Sequence, residues 1–202
     1  MSYKQLKSQA AKGKKGKQAN PEHPAYVAAI KGMQSAIVDM DYYRFEDGAT
    51  LVIVGEESAS VRAFLIKDMS KESEFIVGQG KLQAGVNVVS VSIGPMRVTD
   101  SRSFSMLVAV ALFDHCSVQF FELSRTSADQ SKLVFKHLPD KTMTSIHKIP
   151  ICMLRMSKKH AGLMVTCGDE SDLFIKLWNL ASSKTEPVTA VQTNQIRHKY
   201  MS

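Results

Sequence analysis

The chain has 202 residues, of which 44% are apolar, and its 26 basic and 19 acidic residues give a formal net charge of +7. This length and composition predict one or two globular domains with a sizeable core. No apolar run reaches the ~18 residues of a membrane-spanning helix, and no secretory signal is recognisable. The three cysteines do not make a disulfide framework, so we expect a cytoplasmic protein without a transmembrane segment.

Positive charge is concentrated near the N-terminus. Residues 1–20 contain six lysines and no acidic residue. A segment rich in Lys, Gly, Ser and Gln without apolar periodicity favours disorder, so we predict a flexible basic arm over residues 1–22. The arm suits RNA phosphates or an anionic lipid surface, and the alternative is a solvated linker. Its lysines are Lys4, Lys7, Lys12, Lys14, Lys15 and Lys17.

A repeated pattern of short apolar segments occupies the rest of the chain. Phe64, Phe121 and Trp178 are each separated from the next by 57 residues, and each lies in a segment that alternates apolar and polar positions. Each segment follows an apolar run and a short polar turn, which predicts a β-hairpin. A further apolar strand precedes every hairpin, and a shorter one follows it. The sequence therefore predicts three repeats of four antiparallel strands, at about residues 30–80, 84–138 and 147–193.

Repeats of this kind are typical of β-propeller blades. A blade has four antiparallel strands, and a WD-type blade takes roughly 40–45 residues. The longer interval here predicts insertions at residues 67–73, 94–105 and 124–132. We predict an all-β fold of about three WD-repeat-like blades, which form an incomplete propeller because closure needs at least four. The alternative is another antiparallel β domain whose strands happen to recur.

The end of the third repeat resembles a WD repeat. That family closes each repeat on Trp-Asp, and this chain has Trp178-Asn179 a few residues after the stretch Val165–Asp169. The resemblance implies a buried, hydrogen-bonded set of Trp, Ser or Thr, His and Asp within the blade. The candidate members here are Trp178, Thr166, His147 and Asp172, with Asp169 as the alternative aspartate.

The first two repeats depart from this family pattern. Phe64 and Phe121 stand where a WD repeat has Trp, and neither repeat has the complete set of polar partners. We therefore expect these two blades to be degenerate and to rely on packing.

Three other stretches resemble the transducin-beta-like WD-repeat proteins of the endoplasmic reticulum. They are the lysine-rich segment leading into His23–Lys31, the stretch His147–Ile151 and the stretch Gln192–Gln195. The resemblance implies a scaffold at the cytosolic face of the endoplasmic reticulum, which binds an unfolded-protein-response kinase or translation components. That family also has an N-terminal membrane anchor and more blades. We therefore expect a fragment, or else a chain that closes by pairing with another copy or a partner.

Patterns that carry chemistry are missing from the sequence. The six histidines show no metal-binding spacing, and Cys152 and Cys167 are too far apart for a zinc knuckle. Asp114, His115 and Cys116 do not form a catalytic set, because adjacent residues point in different directions. We interpret them as a hairpin turn followed by a buried thiol. We predict no catalytic, cofactor-binding or metal-binding residue. The expected function is that of a non-catalytic, protein-binding WD-repeat scaffold, with an RNA- or ribosome-associated factor that uses the lysine arm as the alternative.

Overall fold

The computed structural model describes residues 33–67, 75–82, 87–113, 116–169, 172, 174–181 and 187–192. The predicted basic arm, the segment His23–Lys31 and most of Gln192–Gln195 lie outside these ranges. The described part of the chain contains no helix that is long and apolar enough to cross a membrane.

Twelve strands in the described ranges form three antiparallel sheets of four consecutive strands each. The first sheet contains β1 (Ile37–Arg44), β2 (Thr50–Glu56), β3 (Ser60–Ile66) and β4 (Phe75–Lys81). The second contains β5 (Val88–Asp100), β6 (Ser103–Leu112), β7 (Ser117–Arg125) and β8 (Val134–His137). The third contains β9 (Ile151–Met156), β10 (Leu163–Gly168), β11 (Phe174–Asn179) and β12 (Thr189–Gln192). The predicted all-β class is confirmed.

The three aromatic residues of the repeat occupy equivalent places in the three sheets. Each lies on the third strand of its sheet, because Phe64 belongs to β3, Phe121 to β7 and Trp178 to β11. Each also faces an apolar residue on the second strand, and Trp178, for example, pairs with Met164. The sequence interval of 57 residues therefore corresponds to one complete four-stranded sheet and its connections.

The sheets pack face to face in chain order, so that two cores separate three layers. One core lies between the first and second sheets and contains Ile53, Leu65 and Phe121. The other lies between the second and third sheets and contains Phe120 and Trp178. Strand β1 lies beside β5, and β5 lies beside β9, so the first strands of the three sheets run along one side of the stack.

The insertion predicted at residues 94–105 is an extension of the β5–β6 hairpin and not a loop. Strands β5 and β6 continue through this region and meet in a turn after Asp100. The extension is ordered because Phe104 packs against Phe45, with 5.0 Å between ring centroids. The buried guanidinium of Arg125 donates to the carbonyls of Ser101 (2.5 Å) and Gln130 (2.6 Å). Because Gly94 and Pro95 interrupt the apolar alternation, sequence periodicity ended the strand too early.

Candidate functional site: polar networks that join the stacked sheets

A buried chain of hydrogen bonds connects two strands and two loops of the third sheet. The indole Nε1 of Trp178 donates to Oγ1 of Thr166 over 2.8 Å. Nε2 of His147 lies 2.8 Å from the same hydroxyl, and Nδ1 of His147 lies 2.7 Å from Oδ2 of Asp172. All four residues are buried. The structure thus joins all four candidate residues, which we call the Trp–Thr–His–Asp chain.

The hydrogen-bonding capacity of each group sets the direction of this chain. An indole N–H can only donate, and a hydroxyl has one proton to donate onward. Thr166 therefore accepts from Trp178 and donates to Nε2 of a neutral His147. This order assigns the imidazole proton to Nδ1, which donates to the carboxylate of Asp172. Burial acts to raise the pKa of Asp172, but the hydrogen bonds that its carboxylate accepts from His147 and from the N–H of Phe174 outweigh this effect, so this pKa lies below its usual value.

The turn between β10 and β11 selects Asp172 over Asp169 for this role. The N–H of Asp172 donates to the carbonyl of Asp169 over 2.8 Å, which closes the turn and directs the Asp172 side chain inward. A Cβ atom on Gly168 would lie 2.5 Å from Cβ of Asp172, so only glycine leaves room for this approach. Asp169 instead donates its N–H to the carbonyl of Pro150. The turn therefore brings Asp172, and not Asp169, to His147.

The first sheet carries a different polar pair at the corresponding corner. By strand register, Val54 and Phe64 stand where the third sheet has Thr166 and Trp178. Nε of Arg62, which precedes Phe64 on the same face of β3, lies 3.0 Å from Oε1 of the fully buried Glu56. This contact is an ion pair without hydrogen-bond geometry. A buried ion pair therefore accompanies the apolar packing of this sheet.

A second network lies along the first strands of the sheets, where β1 meets β5. Oδ2 of Asp39 accepts hydrogen bonds from Oγ of Ser90 (2.6 Å) and from the N–H of Val91 (3.0 Å). Two residues further on, Asp41 repeats this arrangement. Its Oδ2 accepts from Oγ of Ser92 over 2.6 Å and from the adjacent backbone N–H over 2.9 Å. Residues two apart on a strand share a face, so both carboxylates reach the neighbouring sheet.

The same arrangement recurs between β5 and β9, with hydroxyls in place of carboxylates. Oγ of Ser90 accepts from the N–H of Leu154 over 3.2 Å, and Oγ of Ser92 accepts from the N–H of Met156 over 2.9 Å. At both contacts, two acceptor side chains of one sheet bind two alternate backbone N–H groups of the next. We call this repeated arrangement the inner ladder.

Two cations from the third sheet reach across to the carboxylates of the first. Nη1 of Arg155 lies 2.9 Å from Oδ2 of Asp39, and Nζ of Lys158 donates to Oδ2 of Asp41. Burial acts to raise the pKa of Asp41, but hydrogen bonds from Lys158, from Ser92 and from the backbone outweigh it and hold this pKa below the usual 3.8. Burial also lowers the pKa of Lys158, and the charge of Asp41 opposes that effect. The two outer sheets are thus connected directly as well as through the middle one.

Sequence analysis missed the inner ladder altogether. Its signal is the pair of short patterns Asp39-Met40-Asp41 and Ser90-Val91-Ser92, which place polar residues two apart within apolar strands. The two patterns are 51 residues apart, close to the length of one repeat. A search for polar pairs at repeat spacing would have found both, although it could not have shown which backbone groups they bind.

The remaining candidate residues are structural. Phe64 and Phe121 are almost completely buried and pack as parts of the sheets. The six lysines of the predicted arm lie outside the described residues. Among the residues that are described, no group of three or more His, Cys, Asp or Glu side chains is arranged to hold a metal ion.

Comparison with known proteins does not assign the chain to a family. No protein-family model matches the chain, and none of the curated proteins is significantly similar to it.

Proposed function

We propose that this protein is a non-catalytic, protein-binding scaffold whose three sheets are consecutive blades of a WD-repeat-type propeller. The Trp–Thr–His–Asp chain supports this proposal most directly. It is made of the four residue types that the WD-repeat resemblance implies, in the order Trp178, Thr166, His147 and Asp172. Four residues spread over β10, β11 and two loops meet in this order only if the whole blade is correctly assembled.

The arrangement of the sheets supports the same proposal. In a propeller, the blades stand around an axis and their first strands face one another near it. The inner ladder lies along the first strands β1, β5 and β9, and Arg155 spans from the third sheet to Asp39 of the first. Such a convergence of first strands fits a propeller and does not fit a flat sandwich of unrelated sheets.

One surface of the first sheet is suited to a protein partner. Ile37, Met40 and Tyr42 are exposed side chains of β1, and we call them the β1 strip. Met40 is 64% exposed and Tyr42 is 63% exposed. By their pairing with the second strand of each sheet, Met40 and Tyr42 correspond to Val91 and Ile93 of β5. Val91 and Ile93 are fully buried in the core between the first and second sheets. The β1 strip is therefore a contact face of the same kind, and none of the three sheets in the described part of the chain packs on it.

The backbone of the β1 strip indicates the chemistry of its partner. At the two contacts between sheets, the corresponding N–H groups donate to side-chain acceptors of the neighbouring sheet. Here the N–H groups of Met40 and Tyr42 donate to the carboxylates of Asp39 and Asp41 on their own strand. The partner that fits presents an apolar β-face with Asp, Ser or Thr side chains two residues apart. It would replace these local hydrogen bonds with contacts of the inner-ladder type.

Binding to a stress kinase tests both the function and the surface. The resemblance to transducin-beta-like proteins of the endoplasmic reticulum suggests the cytosolic part of an unfolded-protein-response kinase as the probe, for example by calorimetry. We expect binding, and we expect the double variant Met40→Lys, Tyr42→Lys to weaken it at least tenfold, because each Lys places a charge in the apolar contact. Its melting temperature should stay near that of the parent, since both side chains are exposed.

The matched control is Val134→Lys, which adds a charge at an exposed strand position of the second sheet. This variant should bind as the parent does. Equal weakening by the control and the double variant would rule out the β1 strip as the contact. Affinity for the stress kinase no higher than for an unrelated kinase would rule out this partner.

A further inference from the structure

Two of the three cysteines lie beside each other in the third sheet. Cys152 is the extra residue of β9 at the register shift between the pairs Met153–Cys167 and Ile151–Gly168. Its Sγ lies 3.0 Å from the carbonyl oxygen of Gly168 and 3.5 Å from that of Cys167. Each thiol also influences the pKa of the other. Neither cysteine is in a disulfide.

The backbone around this pair is compatible with a covalent bond. The Cα atoms of paired residues on antiparallel strands are about 4.5–5.5 Å apart, within the range that a disulfide spans, and Cys152 directly precedes Met153, the register partner of Cys167. The bulge turns Cys152 toward the carbonyls of β10, over the strand that carries Cys167. Cys152 is half-buried, whereas Cys167 is fully buried. A small reagent can therefore reach the first thiol directly and the second only through the first.

We propose that Cys152 and Cys167 form a modification site, at which a low-molecular-weight disulfide such as oxidised glutathione converts the pair into a cross-strand disulfide. This inference is independent of the proposed scaffold function.

The reaction proceeds by two thiol–disulfide exchanges. The Cys152 thiolate attacks one sulfur of oxidised glutathione, which forms a mixed disulfide and releases one glutathione thiolate. The Cys167 thiol then loses its proton to solvent, attacks the Cys152 sulfur and expels the second glutathione as a thiolate. The two cysteines are oxidised, the reagent is reduced to two molecules of glutathione, and the two protons lost by the protein protonate them.

The environment of the thiols makes this oxidation slow and dependent on pH. Burial raises the pKa of Cys152, although the hydrogen bond from Cys167 opposes this effect. Burial and the neighbouring Cys152 raise the pKa of Cys167 to about 12. Only the thiolate attacks, so the rate should rise about tenfold for each pH unit in the neutral range. The site therefore responds to sustained oxidising conditions and resists brief ones.

The bond would act on the same blade as the Trp–Thr–His–Asp chain. Cys167 directly follows Thr166, and Gly168 is in close contact with Asp172. A disulfide between Cys152 and Cys167 closes a loop of about 15 residues and restricts the unfolded chain. We expect the oxidised protein to melt about 5 °C higher than the reduced one.

The test uses the full chain with Cys116→Ser, which removes the third thiol. After incubation with oxidised glutathione, alkylation in denaturant should find no free thiol, and the intact mass should show the loss of two hydrogens without bound glutathione. Incubation at pH 8 should be about tenfold faster than at pH 7. Two alkylated thiols, or a stable glutathione adduct, would overturn the proposal.

Variants of one cysteine at a time separate the role of Cys152, which reacts with the reagent first, from that of Cys167, which expels the bound glutathione. Cys167→Ser should keep glutathione on Cys152, because the second thiol that would expel it is missing. Cys152→Ser should remain unmodified, because Cys167 is buried. Equal modification of both single variants would show that the two thiols react independently and would overturn the site.

Discussion

Replacing His147 by Ala should destabilise the protein by about 3–5 kcal/mol, since removing one partner of a buried pair leaves the other charge uncompensated. The carboxylate of Asp172 would lose its 2.7 Å contact with Nδ1 and remain buried. The hydroxyl of Thr166 would lose its acceptor at the same time. Urea unfolding followed by circular dichroism measures the change as a lower midpoint with an unchanged slope.

The exposed histidine of the same sheet provides the control for this experiment. His160 lies in the turn between β9 and β10, and His160→Ala should change the free energy of unfolding by less than about 0.5 kcal/mol. The double variant His147→Ala, Asp172→Ala should cost less than the sum of the two single changes, because it removes the unpaired charge. Additive losses would show that the imidazole and the carboxylate do not interact.

The second large effect is expected at Asp41 of the inner ladder. Asp41→Ala removes the acceptor for Ser92, for a backbone N–H and for Lys158. Hydrogen bonds to a charged group contribute about 1.5–3 kcal/mol each, but Lys158 is partly exposed and can be solvated. We therefore expect a loss of about 3 kcal/mol in urea unfolding. Asp129→Ala, which removes only contacts within an exposed loop, should leave the stability unchanged.

The dependence of the free energy of unfolding on pH tests the role of Asp41 independently. Because the pKa of Asp41 is lower in the folded protein than its usual 3.8, its ionised form stabilises the fold above about pH 4. This contribution is lost as the pH falls through the pKa of the folded state. The variant Asp41→Asn should start from a lower stability and lose less of it between pH 5 and pH 2. Parallel stability curves for parent and variant would contradict the role of Asp41.

Sequence analysis was most successful where a local pattern determines local structure. Apolar alternation and polar turns predicted three repeats of four strands, because both follow from how a half-buried strand must be built. The WD-repeat resemblance also selected His147 and Asp172, which lie 25 residues apart. It selected them from residue type and position relative to the strands, which a blade fixes closely.

The features that sequence missed depend on how the sheets meet. In the sequence, Asp39 and Asp41 are only alternate polar positions of a strand. Their role depends on the backbone N–H groups of β5 that they bind in the folded protein. Likewise, Glu56 and Arg62 read as turn and strand residues, and their burial as an ion pair follows from three-dimensional packing. The register shift that brings Cys152 next to Cys167 is also invisible to periodicity, since an extra residue in one strand leaves no mark on composition.

Unfolding followed by two probes tests most directly whether the three sheets form one stack. Trp178 is the only tryptophan of the chain and reports on the third sheet by fluorescence, whereas far-ultraviolet circular dichroism reports on all three sheets. If the inner ladder and the two cores couple the sheets as described, both signals should change in one transition with the same midpoint in urea. A fluorescence transition clearly separated from that of circular dichroism would show that the third sheet unfolds independently, and would contradict the stacked architecture on which the proposed scaffold depends.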